Sequence, residues 1–277
     1  MEVWPAPAKL NLFLHVTGRR ADGYHLLQTV FQFLDFGDEL KFRVTHDGQI
    51  TRSTPLAGVV AEDDLSVRAA RLLRAACGCE KGAQIHLRKR IPLGGGLGGG
   101  SSDAATTLLV LNRLWNAGLG QAELLELGVR LGADVPVFLG GHAAWGEGIG
   151  EVLTPVEPEE AWYVVVVPPV RVSTAAAFGD LGLTGFSAPI TIRDFHAGRL
   201  GNDLEPVVRR RYPEVDRACQ WLSEFGMARM TGSGGCVFLK VTDASAGEQI
   251  LSKRPQWLEG FVTHGVNSHP LFAGRLD

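Results

Sequence analysis

The chain has 277 residues, enough for two domains sharing an interface. Its 45% hydrophobic and 21% charged residues are the proportions of a folded enzyme, not of a disordered tail. A formal net charge of −3 argues against a general nucleic-acid binder, so an anionic ligand has to be held by local geometry rather than by the field of the whole protein. The four cysteines, Cys77, Cys79, Cys219 and Cys236, make no C-x-x-C pair and no zinc spacing, and read as free thiols of a reducing cytosol. The opening MEVWPAPAK lacks the basic and apolar regions of a signal peptide, and WYVVVVPPV at 162–170 is too short to span a bilayer. A cytoplasmic protein with no membrane partner is expected.

In chain order, residues 8–16 alternate as a strand, with Lys9, Asn11, Phe13 and His15 on the face opposite Ala8, Leu10, Leu12, Leu14 and Val16. GRRADGYH reads as a turn, and residues 27–44 as two strands with an acidic turn between them. Residues 63–78 read as a helix capped by Asp64 and stopped by Gly78. A strand over 83–91 feeds a run of glycines, followed by a helix over 101–118 with Ser and Asp at its start and Gly118 at its end. Another helix covers 121–132, followed by ADVPVFL. EGIGEVLTPVEPEEA, 147–161, is the best linker candidate. Beyond it come a buried strand at 161–169, a helix over 202–225 interrupted near Pro213, a strand–glycine turn–strand unit at 228–241, a short helix from 244 and a closing strand at 260–266. Mixed strands and helices without strict alternation indicate the α+β class.

The stretch IPLGGGLGGGSSDAA, 91–105, carries the chemistry. Six glycines between a strand and an apolar helix remove the side chains that would keep an anion away from main-chain N–H groups, and the helix start adds further unpaired donors. A flexible hairpin or a merely serine-capped helix is the plain alternative. No lysine follows the glycines as a Walker loop requires, and Trp115, Asn116 and Ala117 stand where a dinucleotide site would need an acid. A phosphate loop of another kind remains, and a branched side chain at Gly96 would block close phosphate approach.

PLGGGLGGGSSDAA resembles the second motif of the GHMP kinases. PAKLNLFLHVTGRRADGYH and MTGSGGCVF resemble the first and third, in the same order. The further stretches GADVPVFLGGHAAWGEGIGE and NDLEP, with GRRADGYH, are similar to the branch of that family whose substrate is 4-diphosphocytidyl-2-C-methyl-D-erythritol. The resemblance implies a two-domain α+β GHMP kinase fold, with an N-terminal ATP-binding domain of ribosomal-protein-S5-like fold over 1–152 and a C-terminal domain over 153–277. It implies phosphorylation of a small-molecule alcohol by ATP with Mg²⁺. It makes Lys9 and Asp134 the catalytic pair, with Pro92, Leu93, Gly94, Gly95, Gly96, Leu97, Gly98, Gly99, Gly100, Ser101 and Ser102 around the ATP. Tyr24, His25 and Phe178 become the cytidine site, with Asn11 beside Lys9 on the same strand face.

Several of these residues keep a second reading. Asp134 could be only the N-cap of a helix with Pro136 in its first turn. Lys9 could be an edge-strand lysine facing water, and Phe178 a core ring whose neighbours Ser173, Thr174 and Ala175 depart from the family's proline-rich turn. Residues 231–236 could be a simple hairpin turn. No dedicated Mg²⁺ ligand stands out; Ser101 or Ser102 could contribute an oxygen. Kinases for other alcohols, such as homoserine or mevalonate, and an RNA-binding module are the competing functions, the last disfavoured by the acidic balance.

Overall fold

The computed structural model describes residues 1–56, 58–179, 185–197 and 200–272. Its spine is a single 21-residue strand. β1, Trp4–Arg19, runs antiparallel to β2, His25–Thr45, through the turn at 20–24. The expected acidic turn inside 27–44 does not exist. Gly37 lies so close to β1 that a Cβ there would stand 2.4 Å from the Ala6 carbonyl oxygen, so glycine admits the neighbouring strand instead of breaking its own. The acids beside it turn away to serve other segments: the Asp35 carboxylate accepts the His264 N–H at 2.8 Å, and Asp38 is buried.

β3, Ile50–Arg52, lies on the outer side of β4, Gly82–Arg88, which pairs with the C-terminal half of β2. Between them comes α1, Leu65–Cys77. Asp64 caps it by accepting the Ser66 and Val67 N–H groups, and Gly78 ends it in a left-handed conformation, as expected. After the glycines comes α2, Gly99–Trp115. Its cap is Gly98, at φ +71°, with no side-chain bond, and its end is Asn116, not Gly118. The Ser and Asp at its start do no capping. α3, Gln121–Leu131, and the six-residue α4, Val135–Gly140, complete a helical layer packed on β1 and β2 around Leu73, Leu108, Phe33 and Phe138.

The linker candidate is ordered. β5, Ala144–Glu147, pairs with β2, and β6, Val152–Pro155, pairs back onto β5 through a turn at the left-handed Gly148 and Gly150. The C-terminal half adds β7, Trp162–Val167; α5, Thr174–Gly179; α6, Ile192–Ala197; α7, Glu205–Arg211; and α8, Pro213–Ser223, with Tyr212 at the expected break. Then come β8, Arg229–Met230; β9, Val237–Val241; α9, Ala244–Leu251; and β10, Glu259–Val266. β10 pairs with β7 on one side and with Leu34 and Phe33 of β2 on the other, joining the halves into one ten-stranded sheet among the described residues. A second core lies under α7, α8 and β9. A third, between the halves, takes Ile91 from just before the glycine run and Leu97 from its middle. The four cysteines are free thiols.

α1 is fastened by more than its cap, since the Arg52 guanidinium also pairs with Asp64 and both side chains are about 5% exposed or less. Burial pushes the Asp64 carboxyl up, but the bonds from Ser66 and Arg52 outweigh it and hold its pKa below the ordinary value of 3.8. The stability this group contributes is therefore present above that ordinary value and lost as the pH falls through the lower folded value. Asp64→Ala removes a cap and leaves a buried guanidinium unpaired, so chemical denaturation is expected to show a loss of about 3 kcal/mol.

Candidate active site

Lys9 sits mid-strand in β1, 2% exposed, where a lone ammonium would be prohibitively costly. A register shift in the pairing of β1 with β2 falls between Pro7 and Lys9. Its Nζ donates to the Asn11 Oδ1 and, at 3.1 Å, to the Gly96 carbonyl oxygen, and it stands 3.3 Å from the Asp134 carboxylate. An ammonium has three N–H donors, and three partners face this one. The Phe31 ring lies 5.5 Å away on its flank. Asp134 holds the N-cap position of α4 but makes no side-chain cap bond, so the capping alternative does not account for it. Its carboxylate stays 35% exposed, paired with Lys9 and open to a cavity of about 800 Å³.

Asn11 is fixed by three contacts. Its side chain accepts from Lys9 and donates to Thr29 Oγ1 at 2.9 Å, while its backbone N–H donates to Thr231 Oγ1 at 2.9 Å. The last contact brings in the 231–236 turn. The NDLEP segment holds that turn in place: Asn202 donates to the carbonyls of Met230 and Gly232 at 3.0 and 2.8 Å, and Asp203 accepts the Val16 N–H at 2.7 Å. Residues 231–236 are therefore more than a hairpin connection.

The two glycine segments meet backbone to backbone. A Cβ on Gly96 would lie 2.2 Å from the Thr231 carbonyl oxygen, and one on Gly234 would lie 2.1 Å from the Gly96 nitrogen. A side chain at Gly96 would thus strike this turn, which is a different obstacle from the blocked phosphate expected from sequence. The contact also orients the loop. The carbonyls of Gly95, Gly96 and Leu97 accept from the Cys236 N–H, the Lys9 ammonium and the Lys9 N–H, while among the described residues no N–H from Gly96 to Ser101 donates a hydrogen bond. Carbonyls turned inward with consecutive amides left free make a concave anion site of the nest type.

The large cavity is lined by Lys9, Asn11, Tyr24, His25, Gly96, Ser101, Asp134 and Phe178 of the residues expected from sequence. Leu93 and Gly95 line a smaller cavity of about 260 Å³ with Val167–Arg171 and Cys236. Pro92, Gly94, Leu97, Gly98, Gly99, Gly100 and Ser102 line neither; Leu97 is buried in the third core. At the rim, the His25 and Phe178 rings stack with centroids 5.2 Å apart and an interplanar angle of 25°. Burial, helped by the charge of Arg19, lowers the His25 pKa, so the ring is neutral near pH 7 with one donor and one acceptor nitrogen. Tyr24 lines the same rim, 61% exposed. α5, which carries Phe178, is tied to the glycine turn by the Thr174 and Ser233 hydroxyls at 2.8 Å, so the Ser-Thr-Ala variant of this turn still meets the site.

Sequence reasoning singled out the 231–236 turn but not the contact of the Thr231 hydroxyl with Asn11, and it missed Thr29 and the buried ion cluster of Asp38, Lys89 and Asp103 beneath the glycine loop. The signal available for the cluster was a lysine entering the loop and an aspartate entering the apolar helix that follows it.

Residues 64–142 match the GHMP kinases N terminal domain and residues 191–260 match the GHMP kinases C terminal domain. A relative from Alkalilimnicola ehrlichii, named 4-diphosphocytidyl-2-C-methyl-D-erythritol kinase, is 56% identical over 273 residues, 99% of this chain and 94% of that protein. The chain belongs to this family of GHMP kinases. A relative of the same name from Aromatoleum aromaticum is 55% identical, covering 96% of this kinase and 94% of its own length. A crystal structure of 4-(cytidine 5'-diphospho)-2C-methyl-D-erythritol kinase superposes with a TM-score of 0.84 at 32% identity, covering 96% of this kinase and all of that chain. The kinase is thus an ATP-dependent small-molecule phosphotransferase of the isoprenoid pathway.

Gly96 tests the loop. Gly96→Ala places a methyl at φ +79° against the Thr231 carbonyl, which is expected to shift the loop and raise KM for ATP at least about tenfold in initial-rate measurements, with the circular dichroism spectrum unchanged.

Proposed function

We propose that this kinase transfers the γ-phosphoryl group of ATP to the 2-hydroxyl of 4-diphosphocytidyl-2-C-methyl-D-erythritol, giving the 2-phosphate and ADP, in the cytoplasm. The observation that carries the reading is the Lys9 ammonium, bonded to the Gly96 carbonyl of the glycine loop and 3.3 Å from the Asp134 carboxylate, at the floor of a cavity with a neutral histidine at its rim.

Phosphoryl transfer needs a positioned phosphate, neutralised charge and an oriented nucleophile. The amides of Gly96 to Ser101 bind the triphosphate oxygens. The Asp134 carboxylate accepts the proton of the attacking hydroxyl, and the O–P bond forms as the bond from the γ-phosphorus to the β–γ bridging oxygen breaks. Lys9 pairs with that carboxylate and faces the negative charge that develops on the phosphoryl oxygens. Asn11 fixes the direction of the ammonium. His25 reads the edge of the cytosine through its donor and acceptor nitrogens, while Tyr24 and Phe178 supply ring faces on which the base stacks. The domains run from 1 to 152 and from 153 to 277 on this reading, with Phe178 closing over the substrate from the second.

Mg²⁺ accompanies the triphosphate in this reading. Among the described residues no cluster of three His, Cys, Asp or Glu side chains is arranged to hold a metal. That fits an ion which takes most of its ligands from phosphate and water. Ser102 Oγ, buried without a partner among the described residues, and Ser101, on the cavity wall, are the protein oxygens suited to it. When bound it neutralises phosphate charge.

Asp134→Asn is expected to lower kcat at least about a hundredfold with KM for ATP within about threefold, read in steady-state assays. An unchanged kcat removes Asp134 from the mechanism. In a panel with homoserine and mevalonate, turnover is expected only with the cytidine diphosphate compound. Turnover of another alcohol in its place rejects the substrate.

A further inference from the structure

Three ionisable side chains beneath the glycine loop have no part in the proposed chemistry, yet they are more deeply buried than Asp134. Asp38 comes from mid-β2. Its Oδ1 accepts the backbone N–H groups of Arg90 and Ile91 at 2.6 and 2.8 Å, and its Oδ2 accepts from the Lys89 ammonium at 2.6 Å. The same ammonium donates to Asp103 Oδ2, one turn into α2, also at 2.6 Å. Lys89 crosses directly over the first residue of that helix, where a Cβ on Gly99 would lie 2.9 Å from its Nζ. One cation therefore ties the strand that enters the loop, the helix that leaves it and the central strand of the sheet.

We infer that Lys89 is a positioning residue for ATP, holding the two ends of the glycine loop at a fixed separation through Asp38 and Asp103. The inference rests on the proposed seat of the triphosphate on the loop amides. The geometry gives the reason. The loop's own ties, at the carbonyls of residues 95 to 97, fix its middle against β1 and the 231–236 turn, and nothing in them sets the angle at which α2 departs. That angle decides whether the free N–H groups of Gly99, Gly100 and Ser101 converge with those of Gly96 to Gly98. A Lys89–Asp103 bridge sets it in a dry environment, where a charge-assisted bond is strong.

The cluster also has an internal charge balance. Asp103 Oδ1 is buried with no partner among the described residues, and burial, reinforced by the charge of Asp38 and opposed by Lys89, holds the Asp103 carboxyl above its ordinary range. The Lys89 ammonium remains charged between the two carboxyls, their attraction outweighing its burial. A neutral side chain with an acceptor oxygen can therefore stand in for Asp103.

The test uses the full-length enzyme with Asp103→Ala and Asp103→Asn in steady-state kinetics. In parallel, hydrogen exchange of the wild type is followed with and without a non-hydrolysable ATP analogue. Asp103→Ala is expected to raise KM for ATP at least about tenfold while kcat and KM for the alcohol substrate stay within about threefold. Asp103→Asn keeps an oxygen for Lys89 and is expected to hold KM for ATP within about threefold of wild type. Should Asp103→Ala not fold, Asp103→Leu, which fills the volume without an acceptor, takes its place with the same expectation. An unchanged KM for ATP in the apolar variant, or an Asn variant as impaired as Ala, overturns the clamp. The analogue is expected to slow exchange at amides 96–101. Slowed exchange with an unchanged KM sinks the clamp alone, whereas no slowing sinks the seat of the triphosphate and the clamp with it.

Discussion

The buried ammonium of Lys9 is the constraint around which the site is arranged. A cation at 2% exposure is tolerable only when each of its protons has a partner, and here the three partners come from three different places in the chain: Asn11 two residues along the same strand, Gly96 in the glycine loop and Asp134 at the head of α4. Satisfying one charge therefore fixes the positions of β1, the loop and α4 relative to each other. Removing any partner leaves an unpaired group in a dry interior, so the arrangement resists drift. The energetic need of the fold and the geometric need of a phosphotransferase coincide at one atom.

Around that atom, backbone packing does what side chains do elsewhere. The glycine loop and the 231–236 turn approach so closely that neither can carry a Cβ at the contact, and the approach turns the loop carbonyls inward. Consecutive amides are left without partners as a consequence. Under the proposed function these amides seat the polyphosphate on a chain whose net charge is −3, through local orientation of dipoles and not overall charge. The sheet makes this possible: β10 joins β2 to β7, and the turn between β8 and β9 is carried to the loop from the other half of the chain.

The floor and the rim of the cavity differ in character. The floor is made of charge and main chain, rigidly bonded. The rim is made of His25, Tyr24 and Phe178, held at a strand end, a turn and a short helix, with the first and last stacked on each other. Under the proposed function the floor performs chemistry common to alcohol kinases, and the rim selects which alcohol arrives. The plain overlap of the His25 and Phe178 rings also shows that these two sides of the cavity, drawn from distant parts of the chain, already meet.

Much of this was readable from the sequence where the signal is local. Alternation marked β1, Asp64 and Gly78 marked the ends of α1, Pro213 marked the break between α7 and α8, and a glycine run between strand and helix marked a loop of unpartnered amides, because capping, φ preference and side-chain period act over a few residues. Motif resemblance added Lys9, Asp134 and the rim residues, and the structure gathers these around one cavity. What it could not supply was decided at long range. Gly37 and its acidic neighbours read as a turn, yet they lie inside a strand, because a partner strand 31 positions earlier passes over Gly37 and because Asp38 serves the loop entry at Arg90 and Ile91. The Ser and Asp at the start of the expected helix lie inside α2 and cap nothing, and Asp103 is drawn to a lysine 14 residues back. The linker candidate folds onto the free edge of β5, which itself pairs with β2. Local chemistry in the chain determined which segments become helices, strands and an amide-rich loop; only the tertiary structure decided which buried charges pair, since a polar group withdrawn from water takes whichever partner the packing brings within reach.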